Sequence, residues 1–306
     1  MNIFMAAVYT NSYKPGMQRF AKLTEFEQEI TTNLPHILES YHYVNKQSYV
    51  DAMRNDGAQV FVDSGAFSAW SLGVEINLPK YCNYIKDNLD IIRTEDGIVM
   101  ASVLDGIGDP LQTYRNQLDM EYLGAKPLPC YHYGEDERYL EWYMANYDYI
   151  TIGGLVGKPK HLQIKWLDKV WGQYMTDGAG RAKIKAHGFG VTSIELMERY
   201  PWYSCDSSSW IQAAAFGSVI TPEFGPLSVS DKSPSRHVQG QHATNMSEME
   251  TDYLYEMLIK QGFTYERLST IYESRAAYNL WSFGVVNATI NASHSNKFKE
   301  IVQGLF

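Results

Sequence analysis

The sequence has few cysteines and no long apolar run. Its three cysteines, Cys82, Cys130 and Cys205, are odd in number and form no CxxC pair. This argues against a disulfide framework and a cysteine-based zinc site, and it predicts a reducing, cytoplasmic environment. No apolar run reaches membrane-spanning length, so we expect no membrane partner. The first sixteen residues lack a basic region followed by a long apolar stretch, which predicts no signal peptide.

The sequence also lacks a basic excess and the common phosphate-binding motifs. Its formal net charge is −9, which disfavours a protein that binds nucleic acid indiscriminately. It contains neither GxGxxG nor a P-loop, and we expect no cofactor. Three short basic segments are candidates for local phosphate contacts, although such runs are more often solvated surface. They are residues 158–165, 181–185 and 231–237.

What the 306 residues do contain is a regular alternation of short apolar runs and helical patterns. The strand-like runs are 3–10, 37–44, 59–65, 98–105, 127–134, 149–154, 184–190 and 202–208. The helix-like stretches between them are 26–34, 48–56, 79–92, 109–124, 138–147, 161–174 and 193–200. Strands that alternate with helices in this way predict an α/β protein, and specifically a (β/α)8 TIM-like barrel rather than an open sheet.

The predicted barrel occupies residues 1–215, and residues 216–306 are expected to form a mostly helical C-terminal extension packed on it. The start of this region, 211–230, resembles a helix followed by an irregular or β segment, and the tail from Met246 has a helical pattern. The clearest helix boundary lies inside the barrel. Asp109 is a candidate N-cap before Pro110, and Gly124 is a candidate C-cap of the same helix.

Polar residues and glycines lie near the carboxyl ends of the predicted strands, where parallel barrels carry their chemistry. They are Asp63, Asp105, His132, Gly153, Gly154, His187 and Asp206. Each alone has an ordinary explanation, because a strand-end Asp often caps a helix and a His in a strand is often a core residue. Several carboxylates in one mouth would destabilise the fold without a compensating role. We therefore predict proton transfer, or a carboxylate nucleophile opposite an acid or base.

Six segments of the chain, in order, are similar to motifs of the tRNA-guanine transglycosylases. VDSGAF (62–67) resembles DSGGFQ, and VMASVLDGIGDP (99–110) resembles the segment in which an Asp is followed shortly by Pro. LPCYHYGE (128–135) stands where the family has a GIVQGG-type strand, and ITIGGLVG (150–157) resembles GGLAVGE. AHGFGVTS (186–193) resembles MGVGTP, and SCDSSS (204–209) falls where the family has FDCV with its nucleophilic aspartate. The resemblance covers about residues 60–210.

The resemblance implies a base exchange at a glycosidic bond through a covalent aspartyl-glycosyl intermediate. It makes Asp206 the nucleophile that attacks the sugar C1′ and expels guanine. Asp63 would be the acid or base, with Ser64 beside it. Asp105 would hydrogen-bond the Watson–Crick-like edge of an incoming 7-deazaguanine.

The resemblance also implies the other residues of the substrate site. Gly154 and Leu155 would offer backbone contacts to the exocyclic group of the base, and Gly153 and His187 would line the same site. His132 stands where the family has Gln, and its imidazole offers a different set of hydrogen-bond donors. The aromatic candidates for holding a base outside its stack are Phe67, Tyr131 and Tyr133.

The chain departs from the family pattern at the zinc site, and this bears on which nucleic acid it acts on. The tRNA enzymes carry a structural zinc site, CxCxxC plus a later His, whereas no cysteine follows Cys205 here. We therefore predict no metal. The acidic charge and the missing zinc module favour DNA over tRNA as the partner, as in related bacterial and phage enzymes that insert 7-deazaguanines such as 7-cyano-7-deazaguanine (preQ0) into DNA. A phage-encoded enzyme would act in the host cytoplasm.

Three other functions remain open at this stage. The first is the same exchange carried out on tRNA. The second is an N-glycoside hydrolase, in which the two aspartates cleave the bond with water. The third is a non-catalytic barrel that binds a purine-like ligand. The oligomeric state, the sequence context and the need for an accessory protein do not follow from the sequence.

Overall fold

The computed structural model describes residues 1–238, 240, 242–293 and 297–298. The chain divides into two compact units, and each is described here by itself. The first contains Met1–Thr10, His36–Ser207 and the described part of 290–306, and the second contains Asn11–Pro35 and Ser208–Thr289. These boundaries differ from the predicted division between residues 215 and 216, because residues 11–35 group with the segment after Ser207. Residues 239, 241, 294–296 and 299–306 of the predicted extension lie outside the described residues.

The strands of the first unit lie close to the predicted runs. They are β1 (Asn2–Ala6), β2 (Ile37–Ser40), β3 (Val60–Asp63), β4 (Thr94–Glu95), β5 (Ile98–Val99), β6 (Cys130–His132), β7 (Tyr149–Gly153), β8 (Lys185–Gly188) and β9 (Ser204–Ser207). The second unit contributes β10 (Ser218–Thr221) and β11 (Gly225–Ser228), which form an antiparallel hairpin.

Seven of these strands form one parallel sheet in the order β3-β2-β1-β9-β8-β7-β6. The sheet is curled into a half-barrel, and helices follow its strands along the chain, so the fold is a mixed α/β fold compatible with a TIM-like arrangement. All seven strands run in the same direction, so their carboxyl ends lie along one edge.

The predicted strand 98–105 is largely absent. Its first two residues form β5, which pairs with β4 in a separate hairpin. Its middle makes only isolated parallel bridges, Val62 to Ala101 on one side and Ser102 to Leu128 on the other. The backbone bonds are regular at these points, with Ser102 N–H to Val62 O and Val103 N–H to Leu128 O both at 2.9 Å. Residues 100–103 therefore lie between β3 and the residues that precede β6.

The predicted strand 37–44 also ends early. Its ladder with β3 stops at the pair Ser40 and Asp63, and the chain turns into a short helix, Tyr41–Val44. The ring of Tyr41 then packs against Tyr81 and Tyr84, with centroids 4.8 and 5.0 Å away. Residues 41–44 have a strand-like local pattern but form a helix. The packing of Tyr41 against these two rings, which are about 40 residues away in the sequence, is consistent with that helix.

The described α-helices are α1 (Glu25–Thr32), α2 (Tyr41–Val44), α3 (Gln47–Asn55), α4 (Ala66–Ser71), α5 (Leu78–Asp87), α6 (Pro110–Tyr122), α7 (Glu137–Asn146), α8 (Lys160–Lys169), α9 (Ile194–Arg199), α10 (Ser209–Ala215), α11 (Glu248–Lys260), α12 (Tyr265–Thr270) and α13 (Tyr272–Ser293). The seven helices predicted in the barrel region are present, with ends that differ by up to five residues, whereas α2 and α4 were not predicted and α2 occupies part of the predicted strand 37–44. At α6 the predicted cap is confirmed, since the Asp109 side chain accepts from Gln112 N–H at 3.0 Å. Gly124, with a φ of 82°, lies just beyond the end of this helix.

The core on the concave side of the sheet explains why these runs form strands. Its buried side chains come from successive strands and from the bridging segments. They are Phe4, Ala6, Leu38, Phe61, Met100, Leu128 and Tyr149. Because residues two apart in a strand share a face, Phe61 in the core places Asp63 on the same face at the strand end.

The second unit has its own core and its own polar contacts. Its described residues include α1, the β10–β11 hairpin and helices α10 to α12 with most of α13. Glu27 of α1 is buried and accepts from the Arg267 guanidinium at 2.8 Å. Asn279 of α13 donates to Trp210 O and accepts from Ile220 N–H at 2.8 and 2.7 Å. No helix among the described residues combines the length and apolar character needed to cross a membrane.

In the first unit, the loop after β1 is held by a buried carboxylate. Glu39 of β2 is fully buried. It accepts from Tyr9 N–H at 2.6 Å and from the Thr10 hydroxyl at 2.7 Å. Burial raises the pKa of Glu39 to about 7, although these donors favour the ionised form. One side chain of the neighbouring strand therefore fixes this loop.

We expect Glu39→Ala to lower the free energy of unfolding by about 3 kcal/mol, because Tyr9 N–H loses its acceptor and a cavity is left. Urea denaturation followed by circular dichroism measures the change. Glu141 of α7 is exposed and provides the control, since Glu141→Ala should change the same quantity by no more than about 0.5 kcal/mol. Equal losses in the two variants would contradict the role of Glu39.

Candidate active site

The carboxyl edge of the sheet brings together carboxylates that are distant in sequence. Asp63 is the last residue of β3, Asp105 follows the bridging segment 100–103, and Asp206 lies in β9 one residue before its end. Electrostatic repulsion from both Asp105 and Asp206 acts on Asp63. The predicted grouping of these carboxylates is therefore present in the first unit.

Asp63 is held by a tight turn. Its Oδ2 accepts from Gly65 N–H at 3.0 Å, and its Oδ1 accepts from the Ser102 hydroxyl at 3.3 Å. Gly65 has a φ of 76°, and a Cβ there would lie 2.6 Å from the Cβ of His42. The turn therefore requires glycine, which explains this part of the VDSGAF segment.

The protonation of Asp63 follows from its surroundings. Burial, and then the charges of Asp105 and Asp206, raise the pKa of Asp63 to about 7, while the bonds from Gly65 and Ser102 oppose this shift. A carboxyl group with a pKa near neutrality exists in both forms at physiological pH. Asp63 is therefore suited to donate and to accept a proton.

Asp206 has a different environment. Its Oδ1 accepts from Gly190 N–H at 2.8 Å, and Nε2 of His187 lies 3.4 Å from the same oxygen. Gly190 belongs to the turn that follows β8 and has a φ of 64°. Asp206 is 8% exposed, so it combines a fixed orientation with limited access from outside.

Asp105 forms a second polar group with His132. Its Oδ2 lies 3.4 Å from Nε2 of His132. Its Oδ1 is buried and has no hydrogen-bond partner among the described residues. A buried acceptor without a donor is costly. This atom is therefore ready to accept an N–H group from a ligand.

Glu135 belongs to this group and was missed by the sequence interpretation. It bonds both to the backbone N–H of His132, at 3.0 Å, and to Nδ1 of the ring, at 2.8 Å. Gly134, with a φ of 83°, turns the chain back so that Glu135 reaches His132. The sequence pattern that could have identified Glu135 is an acidic residue three positions after the strand-end His132, with Gly134 between them.

The charge of His132 follows from its neighbours. Burial alone would favour the neutral ring, but Cys130 and Asp105 outweigh it and raise the pKa of His132 well above its usual value. Burial raises the pKa of Cys130 to about 11. Carboxylate oxygens of Asp105 and Glu135 lie 3.4 and 2.8 Å from the two ring nitrogens, so the raised pKa favours a ring that carries an N–H on each.

The same group meets the distance requirement for a cation site. One ligand atom each from Asp105, Cys130 and His132 lie within 4.8 Å of one another. The sequence prediction of no metal did not consider these three residues together. A protonated imidazole does not bind a metal ion, so a cation there would have to displace the proton that Asp105 and Glu135 favour.

A cavity adjoins Asp105. It has a volume of about 730 Å³. Its lining includes Trp70, Val74, Asp105, Gly106 and Asn116. This space is large enough for a nucleobase, and Asp105 gives it a hydrogen-bonding wall.

Three predicted residues of the Gly-Gly turn have structural roles next to His132. A Cβ on Gly153 would lie 2.9 Å from Cδ2 of His132, so only glycine fits there without movement. Gly154 has a φ of 74°. The carbonyl of the buried Leu155 accepts from Gln163 Nε2 at 3.1 Å, so it is engaged within the protein.

Ser64 and Phe67 follow Asp63. Ser64 is fully buried, and its backbone N–H donates to the Ser102 hydroxyl at 2.9 Å. Phe67 is 61% exposed, and its ring lies 6.0 Å from that of Trp70. Ser64 therefore supports the turn, whereas Phe67 has a surface available for stacking.

The aromatic candidates in and just after β6 pack against α8. Tyr131 is fully buried and stacks on Trp166 of α8 at 5.7 Å, and the Tyr133 ring lies 5.2 Å from the same tryptophan. Side chains alternate along a strand, so Tyr131 points away from the face that carries Cys130 and His132. The interpretation of Tyr131 as a wall of the site was wrong for this reason.

Comparison with known proteins does not identify a family for this chain. The chain matches no protein-family model, and a search of curated proteins finds no significant relative. The functional interpretation therefore depends on the residues described above and on the motif resemblance.

Proposed function

We propose that this protein is a transglycosylase that exchanges guanine in DNA for a 7-deazaguanine base through a covalent aspartyl-glycosyl intermediate. The observation that carries the proposal is the difference between two neighbouring carboxylates. Each accepts from one backbone N–H group. Burial and like charges raise the pKa of Asp63 to about 7, whereas Asp206 lies beside the imidazole of His187, with Oδ1 3.4 Å from Nε2. Because the two environments differ, we infer that Asp63 transfers the proton and that Asp206 is the nucleophile.

The proposal includes a (β/α)8 barrel as the scaffold. The bonds of Ser102 to Val62 and of Val103 to Leu128 support it, because they bridge the two ends of the curled sheet. With residues 100–103 as the eighth strand, the strands follow one another around the sheet in chain order, as in TIM-like barrels.

The reaction proceeds in two displacements. In the first, a carboxylate oxygen of Asp206 bonds to C1′ while the C1′–N9 bond breaks. The bonding electrons leave with guanine, which takes the proton of Asp63. In the second, N9 of the entering base gives its proton to Asp63 and bonds to C1′. The ester bond to Asp206 then breaks, and its electrons return to the carboxylate.

The entering base would occupy the cavity beside Asp105. The unpartnered Oδ1 of Asp105 would accept an N–H group of the Watson–Crick-like edge. The His132 imidazolium, oriented by Glu135, would add a donor where the related family carries an amide. Phe67 at the rim would stack on a base that has left the helix.

DNA is preferred over tRNA because of one feature of the sequence. The chain lacks the cysteines of the zinc module that the tRNA enzymes carry after the nucleophile, since none follows Cys205. The formal charge of −9 is unfavourable for either polymer and does not distinguish them.

The first test uses purified protein with DNA, and separately tRNA, that carries labelled guanine, together with 7-cyano-7-deazaguanine. We expect release of label from DNA that depends on the added base, and Asp206→Asn should reduce it by about 10⁴-fold. Release and nucleoside mass are both measured. The exposed Asp119 of α6 provides the control Asp119→Asn, which should retain full activity.

The other outcomes of this test identify the alternatives. Release from tRNA alone would support the tRNA enzyme, and release without added base would support a hydrolase. Affinity for the base without release from either polymer would support a binding protein. Substantial turnover by Asp206→Asn would reject Asp206 as the nucleophile.

A second prediction concerns recognition of the base. Asp105→Ala should raise the KM for 7-cyano-7-deazaguanine by about 10- to 100-fold, because the base loses a charged acceptor in a buried site. The KM for DNA should change little. Wild-type protein dialysed against EDTA should keep its affinity for the base; a loss on chelation would instead indicate a cation at Asp105, Cys130 and His132.

A third prediction concerns pH. With Asp63 as the proton donor, the single-turnover rate of guanine release should be level below about pH 7 and should fall about tenfold per unit above it, as the carboxyl ionises. Asp63→Asn should be slower and should lack this decline. A decline that persists unchanged in Asp63→Asn would assign the ionisation to another group.

A further inference from the structure

A network of buried polar side chains adjoins Asp206. The Tyr149 hydroxyl is 2.7 Å from Oγ of Ser204, and this Oγ is 2.7 Å from Nδ1 of His187. Nε2 of His187 lies 3.4 Å from Oδ1 of Asp206. Ser204 and His187 are fully buried. Buried polar groups are normally hydrogen-bonded, and Nε2 of His187 has no hydrogen-bond partner among the described residues. The Asp206 carboxylate 3.4 Å away is therefore the acceptor that this nitrogen could reach by a small adjustment.

Three adjacent strands, β7, β8 and β9, carry the residues of this network. Ser204 and Asp206 are two residues apart in β9 and therefore share a face. His187 of β8 is paired in register with Ser204, and Tyr149 begins the neighbouring strand β7. The contact thus depends on strand register, and a shift by one residue would place His187 on the other face.

The imidazole is packed among aromatic rings. The centroids of Phe61 and Phe189 lie 4.7 Å from that of His187, and the centroid of Phe4 lies 5.8 Å away. These edge-to-face contacts fix the plane of the ring. The ring therefore has little freedom to turn. Its Nδ1 is hydrogen-bonded to Ser204, whereas Nε2 has no hydrogen-bond partner among the described residues and lies 3.4 Å from Oδ1 of Asp206.

The hydrogen-bond donors and acceptors around His187 indicate which of its ring nitrogens is protonated. When the Tyr149 hydroxyl donates to Ser204, the Ser204 hydroxyl donates to Nδ1, and Nε2 carries the hydrogen. The opposite tautomer would direct a lone pair of Nε2 at the carboxylate oxygen of Asp206. Electrostatics therefore favour the form in which Nε2–H faces Asp206.

We propose that His187 is a positioning residue for Asp206, and that its Nε2–H and the backbone N–H of Gly190 together hold Oδ1 so that Oδ2 is the atom that bonds to C1′. This inference rests on the proposed function. It assigns His187 to the orientation of the nucleophile rather than to contact with the substrate, and it gives Tyr149 and Ser204 the task of fixing the tautomer.

The first measurement does not need turnover. In ¹⁵N-labelled wild-type protein, the nitrogen shifts of His187 should identify Nε2 as the protonated nitrogen, and Asp206→Asn should move the Nε2–H resonance. Asp119→Asn should leave it in place. An Nδ1–H tautomer in the wild type, or a resonance insensitive to Asp206→Asn, would overturn the proposal.

The second measurement compares two replacements of His187. Gln can keep an N–H near the position of Nε2, whereas Leu keeps bulk without a donor. The single-turnover rate of guanine release should fall by about 10²-fold in His187→Leu, as expected for a misplaced nucleophile. His187→Gln should restore most of it, and the KM for DNA should be unchanged in both.

The two experiments separate the possible failures. Equal losses in His187→Leu and His187→Gln would reduce His187 to a structural residue and overturn the proposal. If wild-type protein shows no exchange, the proposed function fails, while the resonance measurement still decides whether Nε2–H bonds to Asp206.

Discussion

The position of the half-buried Asp63 beside two other carboxylates is the constraint on which the rest of the site depends. Three like charges at one edge of a sheet repel one another, and burial weakens the screening that water would provide. The protein meets this cost by keeping one carboxyl near its titration point, and the pKa of Asp63 is accordingly raised to about 7. A group in that state can exchange a proton at neutral pH, so the same unfavourable electrostatics suit Asp63 to the acid and base role in the proposed reaction.

Local hydrogen bonds then give each carboxylate a distinct environment. Asp63 receives bonds from a glycine turn and from a serine hydroxyl. Asp206 receives a backbone N–H from the neighbouring turn, and Asp105 faces the imidazole of His132. Identical side chains thus differ in access and in hydrogen-bond partner, because different strands and turns supply their donors. This division of environments carries the proposed chemistry, and it would be lost if the parallel register of the sheet changed.

The motif resemblance and the structure contribute different parts of the interpretation. The resemblance alone implies the type of reaction, and the chain matches no family model that would confirm it. The structure adds residues outside that pattern, namely Glu135 behind His132 and His187 behind Asp206. Both act on a neighbouring side chain, and both depend on contacts that short motifs do not encode. A functional site is therefore more than the residues that its motifs name.

The sequence by itself determined most of the helices, the approximate positions of most strands and the carboxylates at the strand ends, but not the short helices α2 and α4. These features follow from local periodicity and capping, as the confirmed cap at Asp109 illustrates. Only the tertiary structure decided that residues 98–105 form a short hairpin strand and isolated bridges, and that residues 11–35 group with 208–289. It alone placed Tyr131 against Trp166 and His187 against Asp206. Strand pairing and packing join residues far apart in the chain, so their outcome is set by which distant partner lies opposite and not by any local pattern.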